Sequence, residues 1–66
     1  MNIGENIKQA RLKTNMTQKE FAEKLEVYPK DVCRWEKGER TPSLERFVDI
    51  CRILNVSSDE LLELNK

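Results

Sequence analysis

Apolar residues recur at intervals of three and four along most of the chain, and no segment alternates between apolar and polar residues with a period of two. Only two glycines and two prolines interrupt this pattern. Such spacing is typical of short amphipathic helices, so it predicts an all-α chain of five helices. The first predicted helix covers residues 4–15, and its inward face carries Ile3, Ile7 and Ala10, with Arg11 at the edge.

Two capping boxes mark the starts of the second and fifth predicted helices. In each box an N-cap hydroxyl and an acidic side chain three residues later bind each other's main-chain N–H groups. Thr17 with Glu20 forms the first box, and Ser57 with Glu60 forms the second. The apolar residues that follow these starts are Phe21, Ala22 and Leu25 in the second helix, and Leu61, Leu62 and Leu64 in the fifth.

Proline, glycine and asparagine set the limits of the third and fourth helices. Pro29 suits a first helical position because its φ is already helical and it has no N–H to leave unpaired. The third helix is therefore predicted over Pro29–Lys37, ended by Gly38. Ser43 is the predicted N-cap of the fourth helix, which Asn55 closes in the left-handed conformation. The apolar stripe predicted for that helix is Leu44, Phe47, Val48, Cys51 and Leu54.

Length and composition narrow the range of possible functions. A chain of 66 residues predicts a single domain over residues 1–66. The absence of histidine removes the usual general base, the catalytic triads and the imidazole-dependent zinc sites, so neither an enzyme nor a bound metal or cofactor is expected. No segment approaches the roughly 18 apolar residues of a membrane span, and no signal peptide is recognisable, so a cytoplasmic location is expected. Cys33 and Cys51 form no Cys-x-x-Cys pair and are expected to be free thiols.

The overall charge does not predict a nucleic-acid partner. Twelve basic and twelve acidic residues cancel, and the pI near 6.3 is below the value of about 9 that is typical of DNA-binding domains. Residues 1–25 hold five basic and three acidic side chains, whereas residues 47–66 hold two basic and four acidic side chains. Any positive surface is therefore local and lies early in the chain.

The second and third helices, joined by three residues, have the arrangement of a DNA-binding helix-turn-helix. At about 100° per residue, Val32 and Trp35 point to one side of the third helix. Lys30, Arg34 and Lys37 cluster on the opposite side. A cationic helix face of this kind suits the major groove, because Arg and Lys bind guanine O6 and N7. From spacing alone, an ordinary solvated helix face explains the three cations equally well.

The sequence resembles the phage repressor and Cro family of helix-turn-helix proteins. The resemblance covers nearly the whole chain and runs through TQKEFAEKL from Thr17, WEKG from Trp35, PSLE from Pro42 and ILNVS from Ile53. It implies a compact five-helix, lambda-repressor-like domain that binds double-stranded DNA and regulates transcription, most simply as a repressor. It also implies a semi-buried salt bridge between Arg11 and Glu36.

The resemblance further implies which residues contact DNA. The base-edge positions of the family fall on Tyr28, Pro29, Lys30, Cys33 and Arg34, and the phosphate contacts fall near Thr17, Gln18, Lys37 and Arg40. Two positions depart from the family pattern. Tyr28 stands where a small N-cap residue is common, and Glu26 stands where glycine allows a positive φ, so a slightly strained turn is predicted there. Asp31, in the first turn of the third helix, is expected to serve the helix rather than DNA.

A homodimer is expected, because one small domain on one half-site binds weakly and two-fold related domains place their third helices about 34–36 Å apart. Ile53, Leu61 and Leu64 are the apolar positions expected to remain exposed for this contact. Two alternatives stay open. The first is an antitoxin-like protein that also binds a toxin or another protein such as an antirepressor through a patch at Leu12, and the second is a helical adaptor that no longer binds DNA.

Overall fold

The computed structural model describes residues 2–63, and within them it contains five α-helices and no strand. The predicted all-α fold is confirmed. The helices are α1 (Ile3–Lys13), α2 (Gln18–Leu25), α3 (Pro29–Lys37), α4 (Leu44–Leu54) and α5 (Ser58–Leu62). None of the helices in this part of the chain has the length and apolar content that crossing a bilayer requires.

Local capping groups set the helix ends largely as predicted. Both capping boxes form, and in the first the Thr17 N–H donates to Glu20 Oε1 at 2.9 Å while the Glu20 N–H donates to Thr17 Oγ1 at 3.0 Å. Helix α1 begins one residue earlier than expected, because Asn2 Oδ1 accepts the Glu5 N–H at 3.0 Å. Helix α1 also ends at Lys13, before Asn15, which adopts a φ of 60°.

The core draws side chains from all five helices. Helix α1 packs on α3, α4 and α5, and α2 packs on α3 and α4. Trp35 is 7% exposed and Val32 is fully buried, as the spacing on α3 predicts. The buried apolar residues are Ile7, Phe21, Ala22, Leu25, Val32, Trp35, Ile50, Leu54 and Leu61.

The apolar stripe predicted for α4 is partly wrong. Leu44 is 78% exposed and Val48 is 46% exposed, whereas Ile50, which the stripe omitted, is fully buried. Apolar residues occupy more than half of the circumference of α4, from Ile53 round to Val48, so periodicity alone does not define its inward face. The packing of α1, α2 and α5 selects the side that carries Ile50 and Leu54.

Of the residues expected at a dimer contact, the two that the structure describes are not both exposed. Leu61 is only 2% exposed, which corrects its assignment to that contact. It turns inward because the capping box at Ser57 starts α5 over α1, where Asn6 Nδ2 donates to the Leu61 carbonyl oxygen at 2.7 Å. Ile53 is half-buried and packs against the core. Leu64 lies outside the described residues.

Gly4 marks the closest approach of α1 to α3. This residue is buried in the first turn of α1, beside the main chain at the end of α3. A Cβ atom built on Gly4 would overlap the carbonyl oxygen of Trp35 and would lie 3.0 Å from the carbonyl oxygen of Glu36. The two helices therefore meet through their main chains at a point where no side chain fits.

Candidate nucleic-acid interface

The three residues between α2 and α3 form a tight turn with one strained position. Glu26 adopts φ 61° and ψ 40°, and the Val27 N–H donates to the Ala22 carbonyl oxygen at 3.0 Å, which closes α2. The predicted positive φ at Glu26 is confirmed. A left-handed conformation costs a residue with a Cβ atom about 1 to 2 kcal/mol. The turn thus fixes the relative orientation of the two helices at the expense of some local stability.

Replacing Glu26 by glycine should stabilise the fold. Glycine relieves the left-handed strain but loses more chain entropy on folding, so we expect a net gain of about 0.5 to 1 kcal/mol in the free energy of unfolding. Glu23→Gly is the matched control, because Glu23 is exposed inside α2, where glycine lowers helix stability. Chemical denaturation of both variants measures the difference. Equal destabilisation by the two substitutions would show that the turn is unstrained.

The start of α3 is held by an acidic side chain rather than by a small N-cap residue. Tyr28 occupies the N-cap position in an extended conformation, and its side chain makes no capping hydrogen bond. Instead, Asp31 Oδ2 accepts the Tyr28 N–H at 3.2 Å. The prediction that Asp31 serves the helix is confirmed. Tyr28 is 71% exposed, and Lys30 Nζ lies 5.7 Å from the centroid of its ring, within range of a cation–π contact.

The outer face of α3 is cationic. Lys30, Arg34 and Lys37 are all exposed, on the side opposite the buried residues Val32 and Trp35. Cys33 is a half-buried free thiol at the margin of this face. Gly38 ends the helix with a φ of 80°, and the chain then continues through the exposed residue Arg40. This surface, formed by Lys30, Arg34 and Lys37, is called the α3 face below.

A buried ion pair fixes α3 against α1. Arg11 Nε donates to Glu36 Oε2 at 2.7 Å, and Arg11 Nη2 donates to Glu36 Oε1 at 3.1 Å. Their side chains are only 8% and 3% exposed. Arg11 Nη1 also donates to the Met16 carbonyl oxygen at 2.7 Å. The pairing expected from the family resemblance is therefore present in the structure, as a bidentate contact that also secures the chain leading into α2.

The same carboxylate also binds α2. Gln18 Nε2 donates to Glu36 Oε1 at 3.0 Å, so the side-chain amide expected near phosphate is engaged inside the protein. Three helices thus meet at Glu36: α1 through Arg11, α2 through Gln18, and α3, which carries Glu36 itself. The sequence shows no signal for the contact with Gln18, because the two residues are 18 positions apart on different helices.

A second long-range contact holds the end of α2. Arg46 Nη1, on α4, donates to the Leu25 carbonyl oxygen at 3.0 Å, and it lies 3.8 Å from Asp49 Oδ2. Carbonyl groups at a helix C-terminus lack intrahelical partners, and a cation there also favours the helix dipole. The role of Arg46 was not predictable, because an arginine on a polar helix face has no distinctive spacing.

Two side chains near these elements have altered acidity. The Thr17 main-chain N–H, followed by the Thr17 hydroxyl, lowers the pKa of the Glu20 carboxyl below its usual value. Burial raises the pKa of the Cys51 thiol on α4. Glu20 is therefore ionised at neutral pH, as its part in the capping box requires, and Cys51 stays a neutral thiol.

The family assignment rests on the match of the chain to known proteins. A family model described as Helix-turn-helix matches residues 7–61, which include both helices of the motif and the elements that support them. The chain belongs to the Cro/C1-type helix-turn-helix family. In this chain, α2 is the first helix of the helix-turn-helix motif and α3 is the second.

The chain is also similar to curated proteins that are named as helix-turn-helix regulators. It is 37% identical over 62 residues to the HTH-type transcriptional regulator ImmR of Bacillus subtilis, covering 94% of this chain and 49% of the relative. It is 36% identical over 62 residues to the HTH-type transcriptional activator BcrR of Enterococcus faecalis, covering 94% and 30%. An uncharacterized HTH-type transcriptional regulator of Archaeoglobus fulgidus is 36% identical over 55 residues, covering 83% and 78%. The chain thus spans half or less of the length of the first two relatives.

Proposed function

We propose that this protein is a sequence-specific, double-stranded DNA-binding transcriptional regulator that inserts α3 into the major groove. The observation that carries the proposal is the α3 face, with three exposed cations opposite a buried side in a helix-turn-helix motif. The major groove is about 12 Å wide and admits one α-helix. The relatives are named as transcriptional regulators, which supports the same function.

The base contacts follow from the chemistry of each side chain. Arg34 and Lys30 are the donors for guanine O6 and N7, and Pro29 offers an apolar surface to a thymine methyl group. Tyr28 brings an exposed phenol to the start of α3, where the ammonium group of Lys30 lies close to its ring. Cys33, a half-buried thiol at the margin of the α3 face, makes a weaker contact in this proposal.

Phosphate contacts on both sides of α3 would set its register on DNA. The first N–H groups of α2, starting at Gln18, have no intrahelical partner and favour an anion. Thr17 is exposed next to them, and its hydroxyl also belongs to the capping box. Lys37 ends α3 and Arg40 follows it, and both are exposed cations at the C-terminal end of that helix. Gln18 binds phosphate in this proposal through its main-chain N–H, since its side-chain amide holds Glu36.

The proposed complex is a homodimer on a pseudo-palindromic operator. A two-fold axis places two copies of α3 in successive turns of the major groove, about 34–36 Å apart. Occupying such a site at a promoter blocks access for polymerase, so repression is the simplest regulatory outcome. We place this activity in the cytoplasm, with no requirement for a cofactor.

Arg34→Ala tests the proposal without disturbing the core, because Arg34 is exposed. We expect the variant to lose about 1 to 3 kcal/mol of discrimination between operator and scrambled DNA, the value of one bidentate base contact. The measurement is an anisotropy titration with DNA from upstream of the coding sequence. Lys8→Ala, which removes a cation from the exposed side of α1, is the control and should keep the discrimination.

The rival functions predict different titrations. If Arg34→Ala discriminates as well as wild type, Arg34 does not contact a base and the main base contact assigned to α3 is wrong. If the wild-type protein shows no preference for any DNA, the helical adaptor is favoured. The antitoxin-like alternative draws its support from Leu12, which is 47% exposed on α1, and it predicts that a small protein encoded nearby co-purifies with this chain.

A further inference from the structure

The outer side of α4 carries apolar side chains that no other part of the described chain covers. Leu44 is 78% exposed and Val48 is 46% exposed. Together with Glu45 and Asp49 they line a shallow depression of about 420 Å³. At about 100° per residue, Leu44, Glu45, Val48 and Arg52 fall within one sector of roughly 100°. These four residues are called the α4 face below.

The α4 face carries charges of opposite sign at its two ends. Glu45 lies in the first turn of α4, and Arg52 lies in the last turn. The Arg52 side chain is 75% exposed, and its only ion pair within the described residues is an exposed one with Asp49 at 3.7 Å. Exposed pairs of this kind contribute little, so Arg52 can change partner at small cost.

This arrangement is self-complementary about a two-fold axis. In an antiparallel pair of helices, two residues face each other when they are equally far from the crossing point. Glu45 and Arg52 are almost equally far from Val48, and so are Leu44 and Arg52. Two antiparallel copies of α4 that cross at Val48 therefore place each Glu45 opposite Arg52 of the other copy. Each Leu44 then packs on the aliphatic part of the opposing Arg52 side chain, and the two Val48 side chains meet at the axis.

We propose that the α4 face is the surface through which two copies of this chain associate. The occupant is a second copy rather than an unrelated protein, because the face supplies both charges of each intermolecular pair at matching heights. An isologous contact of this type is the usual form of a two-fold dimer. Helix α4 contributes no residue to the α3 face, so both copies keep their cations free for DNA.

The contact is small. One pair of short helices buries less than the roughly 1,600 Å² of a standard interface, so the free dimer is weak. Two half-sites on one DNA molecule make the second contact nearly intramolecular, which raises the apparent affinity about a hundredfold or more. The biological role of this contact rests on the proposed operator complex. Self-association without DNA tests the contact itself separately.

The test is a charge exchange followed by sedimentation without DNA. Glu45→Arg places two arginines opposite each other in every homodimer, and Arg52→Glu places two glutamates opposite each other. We expect each variant alone to self-associate at least tenfold more weakly than wild type. Mixed in equal amounts, the two variants should form a heterodimer, because one copy then supplies both arginines and the other both glutamates. Cooperative thermal unfolding of each variant, with a folded baseline at the temperature of sedimentation, controls for folding, since both charge changes oppose the α4 dipole and lower the melting temperature slightly.

Other outcomes overturn the proposal. If both variants associate as wild type does, the contact lies elsewhere, and Ile53 becomes the next candidate. If the mixture stays as monomeric as its components, the charges are not paired across a two-fold axis. If wild type stays monomeric up to about 1 mM and binds two half-sites independently, no such dimer exists. Titration of wild type with a single half-site reports separately on the proposed DNA binding, since one copy suffices there.

Discussion

Glu36→Ala should lower the free energy of unfolding by about 3 to 5 kcal/mol, because it leaves the buried guanidinium of Arg11 without its carboxylate. The two side chains are 8% and 3% exposed, so water cannot replace the lost partner. The variant also strands the side-chain amide of Gln18, which donates to the same carboxylate. A domain of this size is stable by only about 3 to 10 kcal/mol, so the change removes much of the total.

Urea denaturation of three variants measures this effect. Glu36→Gln keeps the shape and one acceptor oxygen, so its loss should be smaller and measurable even if Glu36→Ala is largely unfolded. Glu23→Ala removes an exposed carboxylate from α2 and should change stability by no more than about 0.5 kcal/mol. If Glu36→Ala is as stable as Glu23→Ala, the ion pair contributes no more than an exposed pair does.

Gly4→Ala is expected to have the second large effect on stability. The added Cβ atom overlaps the carbonyl oxygen of Trp35. Neither atom can rotate away, because the Cβ position is fixed by the main chain of residue 4 and the carbonyl belongs to the main chain of α3. Helices α1 and α3 must therefore separate locally, at a cost of about 1 to 3 kcal/mol or more. Alanine favours helix by up to about 1 kcal/mol over glycine, which offsets only part of this loss.

The control for Gly4→Ala is Lys8→Ala, on the exposed side of the same helix. Thermal unfolding should show a lower melting temperature for Gly4→Ala and almost no change for Lys8→Ala. A Gly4→Ala protein that melts at or above the wild-type temperature would mean that the two helices tolerate a side chain between them, and that the close approach is not required.

Local sequence signals predicted most of the helix boundaries. Pro29 and Gly38 set the limits of α3, because one pre-sets a helical φ and the other adopts a φ of 80°. The N-caps Thr17, Ser43 and Ser57 placed three other starts. These residues act through hydrogen bonds and dihedral angles within a few positions, so the sequence around them is sufficient.

Contacts between distant elements were not predictable in the same way. The inward face of α4 depends on which neighbours cover it, and Ile50 rather than Val48 meets them. The sequence around Gly4 predicts only a helix start, whereas in the structure the absence of a side chain there lets the main chain of α3 approach α1 closely. The contact between Arg46 and the Leu25 carbonyl oxygen spans 21 positions and leaves no periodic trace. The cationic face of α3 was predictable, because burial of Val32 and Trp35 determines its direction.

Selection of binding sites from a random pool of double-stranded DNA tests most directly the claim that α3 reads the major groove. We expect wild type to enrich a two-fold symmetric sequence with half-sites one helical turn apart, about 34–36 Å between centres. Arg34→Ala, run in parallel, should lose the preference at one base pair in each half-site while Lys8→Ala keeps it. If wild type enriches no sequence, or if wild type and Arg34→Ala enrich the same sequence, α3 does not read the major groove through Arg34.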